Sequence, residues 1–562
     1  MEWKPRSLGE EDKIKTLQEN IGVPFEIANL LVQRGIQDFD TAKTFFRPEL
    51  SDLHDPYLML GMEVAVNRIS TAIESNEKIM VYGDYDVDGT TSVALVFSYL
   101  TSYYPDCIYY IPDRYEEGYG ISKKGIDHAK KESISLIIAL DCGIKAIDNV
   151  KYASELGIDF IICDHHLPGA DLPVAVAVLD PKQNNCNYPF KDLCGCGIGF
   201  KLIHALSQER GLSLETILPY LDLVAMAIAA DIVPILGENR ILTHYGLVQI
   251  RDQPREGIKL FISGLKRKLN VSDLIFVIAP RINGAGRMRH GSQAVKLLLC
   301  KDQKDALSIG RAIELFNSER KALDQRITEQ ALNQIVENKE QNNYSSVVFQ
   351  PDWHKGVVGI VASRLIETYY RPTIVFAASG DFFTGSVRSV KGVDVYQILE
   401  SCKDHIEKFG GHRYAAGLTI KAEDYIPFKK AFEQAVAAII KPEQRVPSIN
   451  YDMEISFDKI TPKFYRIMNQ MAPFGPGNFR PVFMTKNCID AGKSRVIGED
   501  KTHLKLYTVV DSGLILSGIG FGMADHISRI KSRDSFKLLY TVEENEFKGE
   551  ISLQLKLKDL RF

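Results

Sequence analysis

The sequence lacks long hydrophobic runs and paired cysteines, and each absence excludes a class of protein. No apolar run reaches the roughly 20 residues that a membrane-spanning helix needs, and residues 1–5 do not resemble the start of a signal peptide. The nine cysteines are scattered and odd in number, which is typical of a reduced cytosolic protein. We therefore expect a cytoplasmic protein that has no membrane partner.

A strong net charge is also missing. The formal net charge is −4 over 562 residues, so any surface that binds nucleic acid must be local. A chain of this length is too long for one hydrophobic core, and we expect three or four domains. Cys186, Cys194 and Cys196 form the one cysteine cluster, but their spacing matches no zinc-site pattern, so we expect ordinary loop and core residues.

Apolar strands alternate with helices in the first half of the chain. The predicted strands cover residues 78–82, 108–111, 136–140, 159–163 and 174–179, and helices are predicted over 89–103 and 145–156. Continuous apolar strands separated by helices indicate a parallel sheet that is covered on both faces. Ligands bind to such sheets in the crevice beyond the carboxyl ends of the strands.

The second half of the chain predicts a different organisation. Residues 195–265 are predicted to be mostly helical, 281–287 to form a turn-rich basic patch, and 292–340 to form long polar helices. A second α/β unit begins near residue 345, and the strand-like segments after a linker at 441–447 suggest a small β-barrel. The predicted domains are a helical N-terminal segment (1–60), a parallel-sheet α/β domain (61–290), a helical connector (291–342), a smaller α/β domain (343–445) and an OB-like barrel (446–562).

Polar side chains directly follow several of the predicted strands. A calcium loop of the EF-hand type would fit the first of these groups, Asp84-x-Asp86-x-Asp88-Gly89, but its twelfth position would be Leu95 instead of glutamate, and a strand precedes it. Capping of the following helix by Asp88 would explain one of the three acids and leave two unexplained. The other strand-end groups are Asp141, Asp164-His165-His166 and Asp180, and Asp231 stands inside an apolar stretch.

Several acids that meet at one crevice predict a metal site. Buried, unpaired carboxylates cost several kcal/mol each, and divalent cations between them are the simplest compensation. Carboxylates combined with imidazole suit Mn²⁺, whereas an all-oxygen set suits Mg²⁺. Two such metals about 3.5–4 Å apart are the usual device for hydrolysing phosphodiesters. His165 is best placed to bind a metal, and His166 to face the phosphate.

These residues, in this order and spacing, resemble the motifs of the DHH phosphoesterase family. The matching segments are GDYDVDGTTS, LDCG, CDHH and AADIVP, and the downstream DWHKGVVGIVASRL, GSVRS and GGHRYAAG resemble the DHHA1 domain that accompanies them. With RINGAGRM between the two and a barrel-like end, residues 40–562 resemble the bacterial branch of the family that degrades single-stranded DNA. The expected fold is α/β: a parallel-sheet DHH domain and a smaller α/β DHHA1 domain joined by long helices, followed by an OB-like β-barrel.

The resemblance implies an activity and a set of metal ligands. It implies a 5′→3′ exonuclease specific for single-stranded DNA, which uses two Mn²⁺ or Mg²⁺ ions, releases 5′-mononucleotides and acts in DNA repair and recombination. It also implies a single-strand-binding protein and a helicase as partners. The implied metal ligands are Asp86, Asp88, Asp141, His165 and Asp231, with Asp84 as a further ligand or a close support. His166 is implied to contact the scissile phosphate, and Asp164 to orient the imidazoles.

Two glycine-rich segments of the second α/β unit predict a wall that binds phosphate. The segment 385–389 offers amides, hydroxyls and a guanidinium in one place, which suits an oxyanion. The glycines of 410–417 allow a ligand to approach the backbone closely, and this segment also contains His412. The alternative interpretation of either segment is a tight turn with a solvated arginine. For His354, the alternative to a contact with the substrate is a core or helix-capping role. The resemblance supports a 5′-phosphate pocket with Ser386 and Arg388, to which Arg114 and Arg281 contribute, and places His354 near the substrate.

Two other functions fit parts of the pattern. A DHH/DHHA1 phosphodiesterase of short oligonucleotides or cyclic dinucleotides would share the two-domain core, but the length and the extra barrel argue against it. A catalytically inactive strand-binding protein would have lost metal ligands, whereas every expected ligand type is present in this sequence.

Overall fold

The N-terminal segment packs onto the far end of the chain. The structure is a computed structural model that describes residues 1–265, 267–510, 513–547 and 549–562. Leu17, Ile27 and Leu31 share one apolar core with Phe483 and Leu538. The elements of this segment are β1 (Glu2–Pro5), α1 (Glu11–Ile21), α2 (Phe25–Val32) and α3 (Phe39–Phe46).

The next domain contains the predicted parallel sheet. Its five strands are all parallel and lie in the order β3-β2-β4-β5-β6. A π-helical turn at residues 274–278 joins two of its last helices. The elements are α4 (Met62–Glu74), β2 (Lys78–Gly83), α5 (Val87–Thr101), β3 (Cys107–Tyr110), α6 (Lys123–Lys131), β4 (Ile134–Leu140), α7 (Ile147–Glu155), β5 (Asp159–Cys163), β6 (Ala177–Leu179), α8 (Gly195–Glu209), α9 (Leu221–Ala230), α10 (Gly237–Asp252), α11 (Glu256–Ile262), α12 (Val271–Asp273), α13 (Ala279–Met288) and α14 (Ser292–Leu299).

Both faces of this sheet are buried, as its continuous apolar strands predict. Ile138 packs into the core on one face, and Ile137, its neighbour in β4, packs into the core on the other. Each such residue contributes about 1.5–3 kcal/mol when fully buried. The register aligns the strand ends, because Gly83 pairs with Leu140, Leu140 with Cys163, and Cys163 with the last residue of β6. The residues after these strands therefore lie along one edge of the sheet.

A 35-residue helix, α15 (Gln303–Glu337), leads to the second α/β domain. The mixed sheet of that domain has the order β10-β11-β9-β8-β7, in which only the β7–β8 pair is parallel. The elements are β7 (Ser346–Gln350), α16 (Val358–Thr368), β8 (Thr373–Ser379), β9 (Phe382–Arg388), α17 (Val395–Ser401), β10 (Lys408–His412), β11 (Ala415–Lys421) and α18 (Tyr425–Ile439).

The C-terminal domain is a barrel. Its sheet has the order β13-β14-β18-β19-β17-β16-β15, and an additional β14–β16 pairing closes it, as in OB folds. The elements are β12 (Ser448–Tyr451), β13 (Met453–Glu454), α19 (Pro462–Gln470), β14 (Phe483–Asp490), β15 (Arg495–Ile497), β16 (His503–Val509), β17 (Ile515–Gly520), α20 (Ile527–Lys531), β18 (Phe536–Phe547) and β19 (Glu550–Arg561).

The predicted fold class is confirmed. β1 pairs in parallel with β12, which joins the N-terminal segment to the barrel through the backbone as well as through the core. Across the part of the chain that the structure describes, no helix is both long and apolar enough to cross a membrane.

Three local predictions were wrong. Residues 281–287 belong to helix α13 instead of a turn-rich patch. Its glycines serve close packing, since a Cβ on Gly286 would lie 2.6 Å from the Tyr85 carbonyl oxygen. The strand predicted over 174–179 is only three residues long. Asp86, and not Asp88, caps helix α5, because its carboxylate accepts the Gly89 amide at 3.1 Å.

Candidate metal centre

The predicted ligands meet at the carboxyl edge of the parallel sheet. The Nε2 atom of His165, which follows β5, lies 3.2 Å from a carboxylate oxygen of Asp141, which follows β4. The same Nε2 is 3.6 Å from Asp231 at the end of α9 and 3.9 Å from Asp88 in the first turn of α5. Three carboxylates from three separate segments therefore meet around one imidazole nitrogen.

Asp88 is held in place by a neighbouring helix. Its two carboxylate oxygens accept the amides of Gly195 and Cys196, each at 2.7 Å, at the start of α8. Asp84 is fully buried beside the same centre, and neither of its oxygens has a hydrogen-bond partner among the described residues. One oxygen of Asp141 and both ring nitrogens of His165 are also buried without a partner in those parts of the chain.

The electrostatics of this centre favour a bound cation. Burial, together with the charge of Asp86, raises the pKa of Asp88 to about 7 and keeps the pKa of Asp84 well above its usual range. Burial and the nearby carboxylates raise the pKa of Asp231 to about 8. Burial also lowers the pKa of His165 to about 3, so its ring is neutral and offers a lone pair. The charged forms of these acids are thus disfavoured, and a divalent cation would stabilise them.

Asp164 bonds to the backbone of both histidines and to the ring of His166. Its carboxylate accepts the amides of Ile144 at 2.9 Å, His165 at 2.8 Å and His166 at 3.2 Å, and its Oδ1 lies 2.7 Å from the His166 Nδ1. Burial opposes ionisation, but these hydrogen bonds outweigh it and hold the pKa of Asp164 at about 2. Asp164 is therefore a charged acceptor that fixes the ring of His166.

The ring of His166 faces the second α/β domain. Burial works to lower its pKa, but the bond to Asp164 prevails and raises the pKa above its usual value. The ring stacks on His412, with centroids 6.4 Å apart and an angle of 7° between the planes. The Tyr119 hydroxyl lies 3.4 Å from the His166 Nε2 and donates to the Asp141 carbonyl oxygen at 3.1 Å. His412 thus brings the second domain to the metal centre.

A cluster of arginines lies beside the acidic centre. Arg388 donates to the Ser386 hydroxyl at 3.0 Å, and both side chains face the start of α16, since a Cβ on Gly359 would be 2.9 Å from each. Burial and the charges of Arg114 and Arg388 lower the pKa of Arg287 to about 9. Arg114 itself stacks on the ring of Tyr85 at 4.7 Å. Closely spaced guanidiniums indicate a site for an anion.

Two predicted contributors to the phosphate site have other contacts. Arg281 pairs with Glu314 on the connector helix, with an Nη2–Oε1 distance of 3.0 Å, and it also donates to the Val277 carbonyl oxygen at 2.6 Å. The Nδ1 atom of His354 accepts the Gly356 amide at 3.1 Å, and its ring packs against Tyr115. Arg281 is therefore not placed with the arginine cluster, whereas His354 lies at its border.

Three residues at this site, Arg287, Tyr119 and Lys182, were not predicted from the sequence. Arg287 stands in the same segment as Arg281, and its position in RINGAGR was the available signal. Tyr119 and Lys182 belong to no motif that the sequence displays; Lys182 donates from its ammonium to the carbonyl oxygen of His165. Their contacts come from loops whose course depends on the folded sheet.

The residues present fit divalent metal. Asp141, His165 and His166 form one set of donor atoms within 4.8 Å of one another, and Asp88, His165 and Asp231 form a second. Carboxylate oxygens with imidazole nitrogen suit Mn²⁺, and the oxygen-rich part also suits Mg²⁺. The buried donor atoms without partners in the described residues are the direct sign of this fit.

A parallel sheet whose strand ends present acids and imidazoles to a second α/β domain defines a protein of the DHH–DHHA1 class. Sequence models match the N-terminal domain of the DHH family at residues 78–228, the DHHA1 domain at 341–438 and the RecJ OB domain at 451–559. The chain belongs to the RecJ family.

Relatives match over almost the whole chain. The single-stranded-DNA-specific exonuclease RecJ of Bacillus subtilis is 36% identical over 98% of this chain and 70% of its own length. The Haemophilus influenzae protein of the same name is 34% identical, over 90% and 91% of the two chains. The crystal structure of RecJ from Thermus thermophilus in complex with Mn²⁺ superposes with a TM-score of 0.86 at 26% identity, covering 100% of this chain and 79% of that one.

Proposed function

We propose that this chain is a metal-dependent exonuclease that degrades single-stranded DNA from its 5′ end and releases 5′-mononucleotides. The convergence of Asp88, Asp141 and Asp231 on the His165 Nε2 supports the hydrolytic activity. Membership of the RecJ family, whose relatives are named as exonucleases specific for single-stranded DNA, supports the substrate.

The metal ligands in this proposal are the side chains of the acidic edge. Two Mn²⁺ or Mg²⁺ ions, when bound, would polarise the phosphodiester and lower the pKa of a water molecule. The protein's own contribution is to hold the ligands in fixed positions before substrate arrives, through the helix amides on Asp88 and the sheet register that aligns the other acids. The proposed ligands are Asp84, Asp86, Asp88, Asp141, His165 and Asp231.

His166 would contact the scissile phosphate. Asp164 keeps the pKa of His166 raised, which favours the protonated imidazole, and the protonated ring can donate to a phosphate oxygen. His412, stacked on it from the second domain, places another imidazole on the same side. In this proposal both rings would stabilise the charge that builds up on the phosphate oxygens during hydrolysis.

The arginine cluster would bind the 5′ end of the strand. Arg114, Arg287 and Arg388, with Ser386 of β9 facing the start of α16, would offer several donors to one phosphate. A terminal phosphate has an extra negative charge that an internal one lacks, so this pocket would select the 5′ end. His354 lies at its border, and Arg281 is not included because it pairs with Glu314.

The remaining strand would lie along the C-terminal barrel. OB-type barrels bind single strands by stacking bases on aromatic side chains and by contacts to phosphates. We further propose action in DNA repair and recombination in the cytoplasm, with a single-strand-binding protein and a helicase as partners. These last proposals rest on family resemblance.

Digestion of end-labelled DNA tests the proposed activity directly. Single strands labelled at the 5′ or the 3′ end are incubated with metal-free protein, with and without added Mn²⁺. We expect early release of labelled mononucleotide from the 5′ label only, and only with metal. Early release from the 3′ label, equal digestion of duplex, or faster turnover of a dinucleotide than of a long strand would contradict the proposal.

Replacing Arg388 with glutamine should weaken the preference for a 5′-phosphate. One charge-assisted contact contributes about 1.5–3 kcal/mol, so the ratio of kcat/KM for 5′-phosphorylated over 5′-hydroxyl strands should fall about tenfold or more. Arg251→Gln removes an exposed arginine that pairs with its neighbour Asp252 and serves as the control. An unchanged ratio in Arg388→Gln would exclude this residue from the pocket.

Replacing Asp164 with asparagine should impair the reaction without removing a metal ligand. One carboxylate oxygen of Asp164 accepts the bonds from His165 and His166, and the other accepts the Ile144 amide. An asparagine has one acceptor oxygen and a donor nitrogen, so it cannot keep both sets of bonds, and it also lacks the negative charge. We expect kcat to fall about 10–100-fold, as for other groups that orient metal-binding histidines. Steady-state kinetics at saturating Mn²⁺ measure this, with circular dichroism to verify the fold; a wild-type kcat would show that Asp164 has no orienting role.

A further inference from the structure

The loop that carries Asp231 contacts the C-terminal domain directly. We call residues 231–236, between α9 and α10, the Asp231 loop. The Ile235 amide donates to the Pro476 carbonyl oxygen at 2.8 Å, and the Ile235 side chain is fully buried. Pro476 belongs to the turn at residues 475–478, which precedes the first long strand of the barrel. A proposed metal ligand is thus four residues from a backbone hydrogen bond between domains.

The 475–478 turn fits closely against this loop. A Cβ on Gly475 would lie 2.4 Å from the Ile235 Cδ1 atom, and a Cβ on Gly477 would lie 3.0 Å from the Leu236 Cδ1 atom. A side chain at residue 475 would force the buried Ile235 side chain to move, and a side chain at residue 477 would also have to adopt a left-handed φ of 73°. The two glycines therefore allow an approach that no other residue type permits.

The turn is itself fixed by buried polar contacts. Asn478 is fully buried, its amide donates to the carbonyl oxygens of Met471 at 2.8 Å and Pro473 at 3.0 Å, and its Oδ1 accepts from Arg34 at 3.0 Å. Arg240 of α10 donates to the Met471 and Ala472 carbonyl oxygens, each at 2.9 Å. Breaking such buried hydrogen bonds costs about 1–3 kcal/mol each, so the turn is a rigid support.

The Asp231 loop needs such support because its backbone is strained. Ile232 has a φ of 61°, in the left-handed region that β-branched residues avoid, and its side chain is 64% exposed. A backbone conformation of this kind costs of order 1–3 kcal/mol of free energy, and it persists only where contacts with surrounding residues hold it in place. On the side of its own domain, Asn239 donates to the Pro234 carbonyl oxygen at 3.0 Å. On the side of the C-terminal domain, the 475–478 turn holds the loop through the bond between the Ile235 amide and the Pro476 carbonyl oxygen.

We propose that the 475–478 turn of the C-terminal domain positions Asp231 for metal binding, so that docking of this domain and cation binding at the metal centre are energetically coupled. The proposal rests on the proposed role of Asp231 as a metal ligand. Such coupling is reciprocal: the docked domain raises the affinity for Mn²⁺, and bound Mn²⁺ stabilises the docked domain. The C-terminal domain would then contribute to metal binding as well as to binding of the DNA strand.

Calorimetric titration of the metal-free, full-length chain with Mn²⁺, in the absence of DNA, tests this coupling. Gly475→Val places a branched side chain against Ile235 and should raise the apparent Kd by about fivefold or more. Asn478→Ala, which removes the contacts that fix the turn, should raise it in the same direction and replaces Gly475→Val if that variant does not fold. A Kd within about twofold of wild type in a folded variant would overturn the proposal.

Two controls separate the coupling from other causes. Leu506→Ala creates a cavity in the barrel core, remote in sequence from the turn; it should lower Tm but leave the Mn²⁺ Kd unchanged, and an equal rise in Kd would overturn the proposal. Asp231→Asn should weaken Mn²⁺ binding. If it does not, the ligand assignment fails; if it does while Gly475→Val has no effect, only the coupling fails.

Hydrogen exchange provides the reciprocal measurement. The Ile235 amide bonds to Pro476 across the domain boundary, so peptides that contain residue 235 or the 475–478 turn report on docking. Mn²⁺ should slow their exchange in the wild type, and this protection should be lost in Gly475→Val. Equal protection in both proteins would contradict the coupling.

Discussion

Asp141→Asn is expected to reduce hydrolysis of single-stranded DNA by about 10³-fold or more while leaving strand binding intact. The substitution preserves the size of the side chain and removes the negative charge that lies 3.2 Å from the His165 Nε2. The arginine cluster and the barrel, which would hold the strand, are not altered. Single-turnover rates in Mn²⁺ and the Kd for a labelled strand measure the two properties separately.

Asp148→Asn is the matched control for this experiment. Asp148 lies in the first turn of α7 with its side chain exposed, seven residues along the chain from Asp141. The Asp148→Asn variant should hydrolyse single-stranded DNA at the wild-type rate. Near-normal turnover of Asp141→Asn in Mn²⁺ would refute the assignment of Asp141, and loss of strand binding would show that the metal centre also holds the DNA.

Gly195→Ala is expected to have the second largest effect, although no ligand is changed. A Cβ at this position would lie 2.6 Å from the Asp141 Cβ and 2.8 Å from its Oδ1. The Gly195 backbone cannot retreat freely, because its amide donates to Asp88 at 2.7 Å. The methyl group must therefore displace two proposed ligands together. A displacement of about 1 Å costs roughly 10²-fold in rate, and the crowding should lower the free energy of unfolding by about 1–3 kcal/mol.

Gly264→Ala controls for the general effect of adding a methyl group. A Cβ on Gly264 would meet no atom within 4 Å, so its activity should match the wild type and its free energy of unfolding should change by less than about 1 kcal/mol. Denaturant unfolding and nuclease assays on both variants give the comparison. Wild-type activity in Gly195→Ala would mean that the centre tolerates displacement of Asp88 and Asp141.

The meeting of acidic and imidazole side chains at one edge of the parallel sheet could be predicted because it depends on local sequence. Each proposed ligand group follows directly after a strand or helix whose apolar sequence is continuous, as with Asp141 after β4 and His165 after β5. Parallel strands in register present their carboxyl ends at one edge. Local sequence therefore predicts that these side chains meet, without any knowledge of distant contacts.

The membership of the arginine cluster could not be predicted from the sequence. Arg281 and Arg287 are six residues apart on α13, so they project about 120° from each other around the helix axis. The sequence does not determine which of them faces Arg388, because that depends on how the helix packs. In the structure Arg281 faces Glu314 and Arg287 faces the cluster.

The sequence by itself determined the order of domains, the parallel sheet and the ligand groups at its strand ends, because these follow from periodicity and from short motifs. Only the tertiary structure decided that the N-terminal segment shares a core with the barrel and that the 475–478 turn supports the Asp231 loop. These contacts join residues that are hundreds of positions apart. Their energy comes from burial and close packing between surfaces, which no local pattern of residue types specifies.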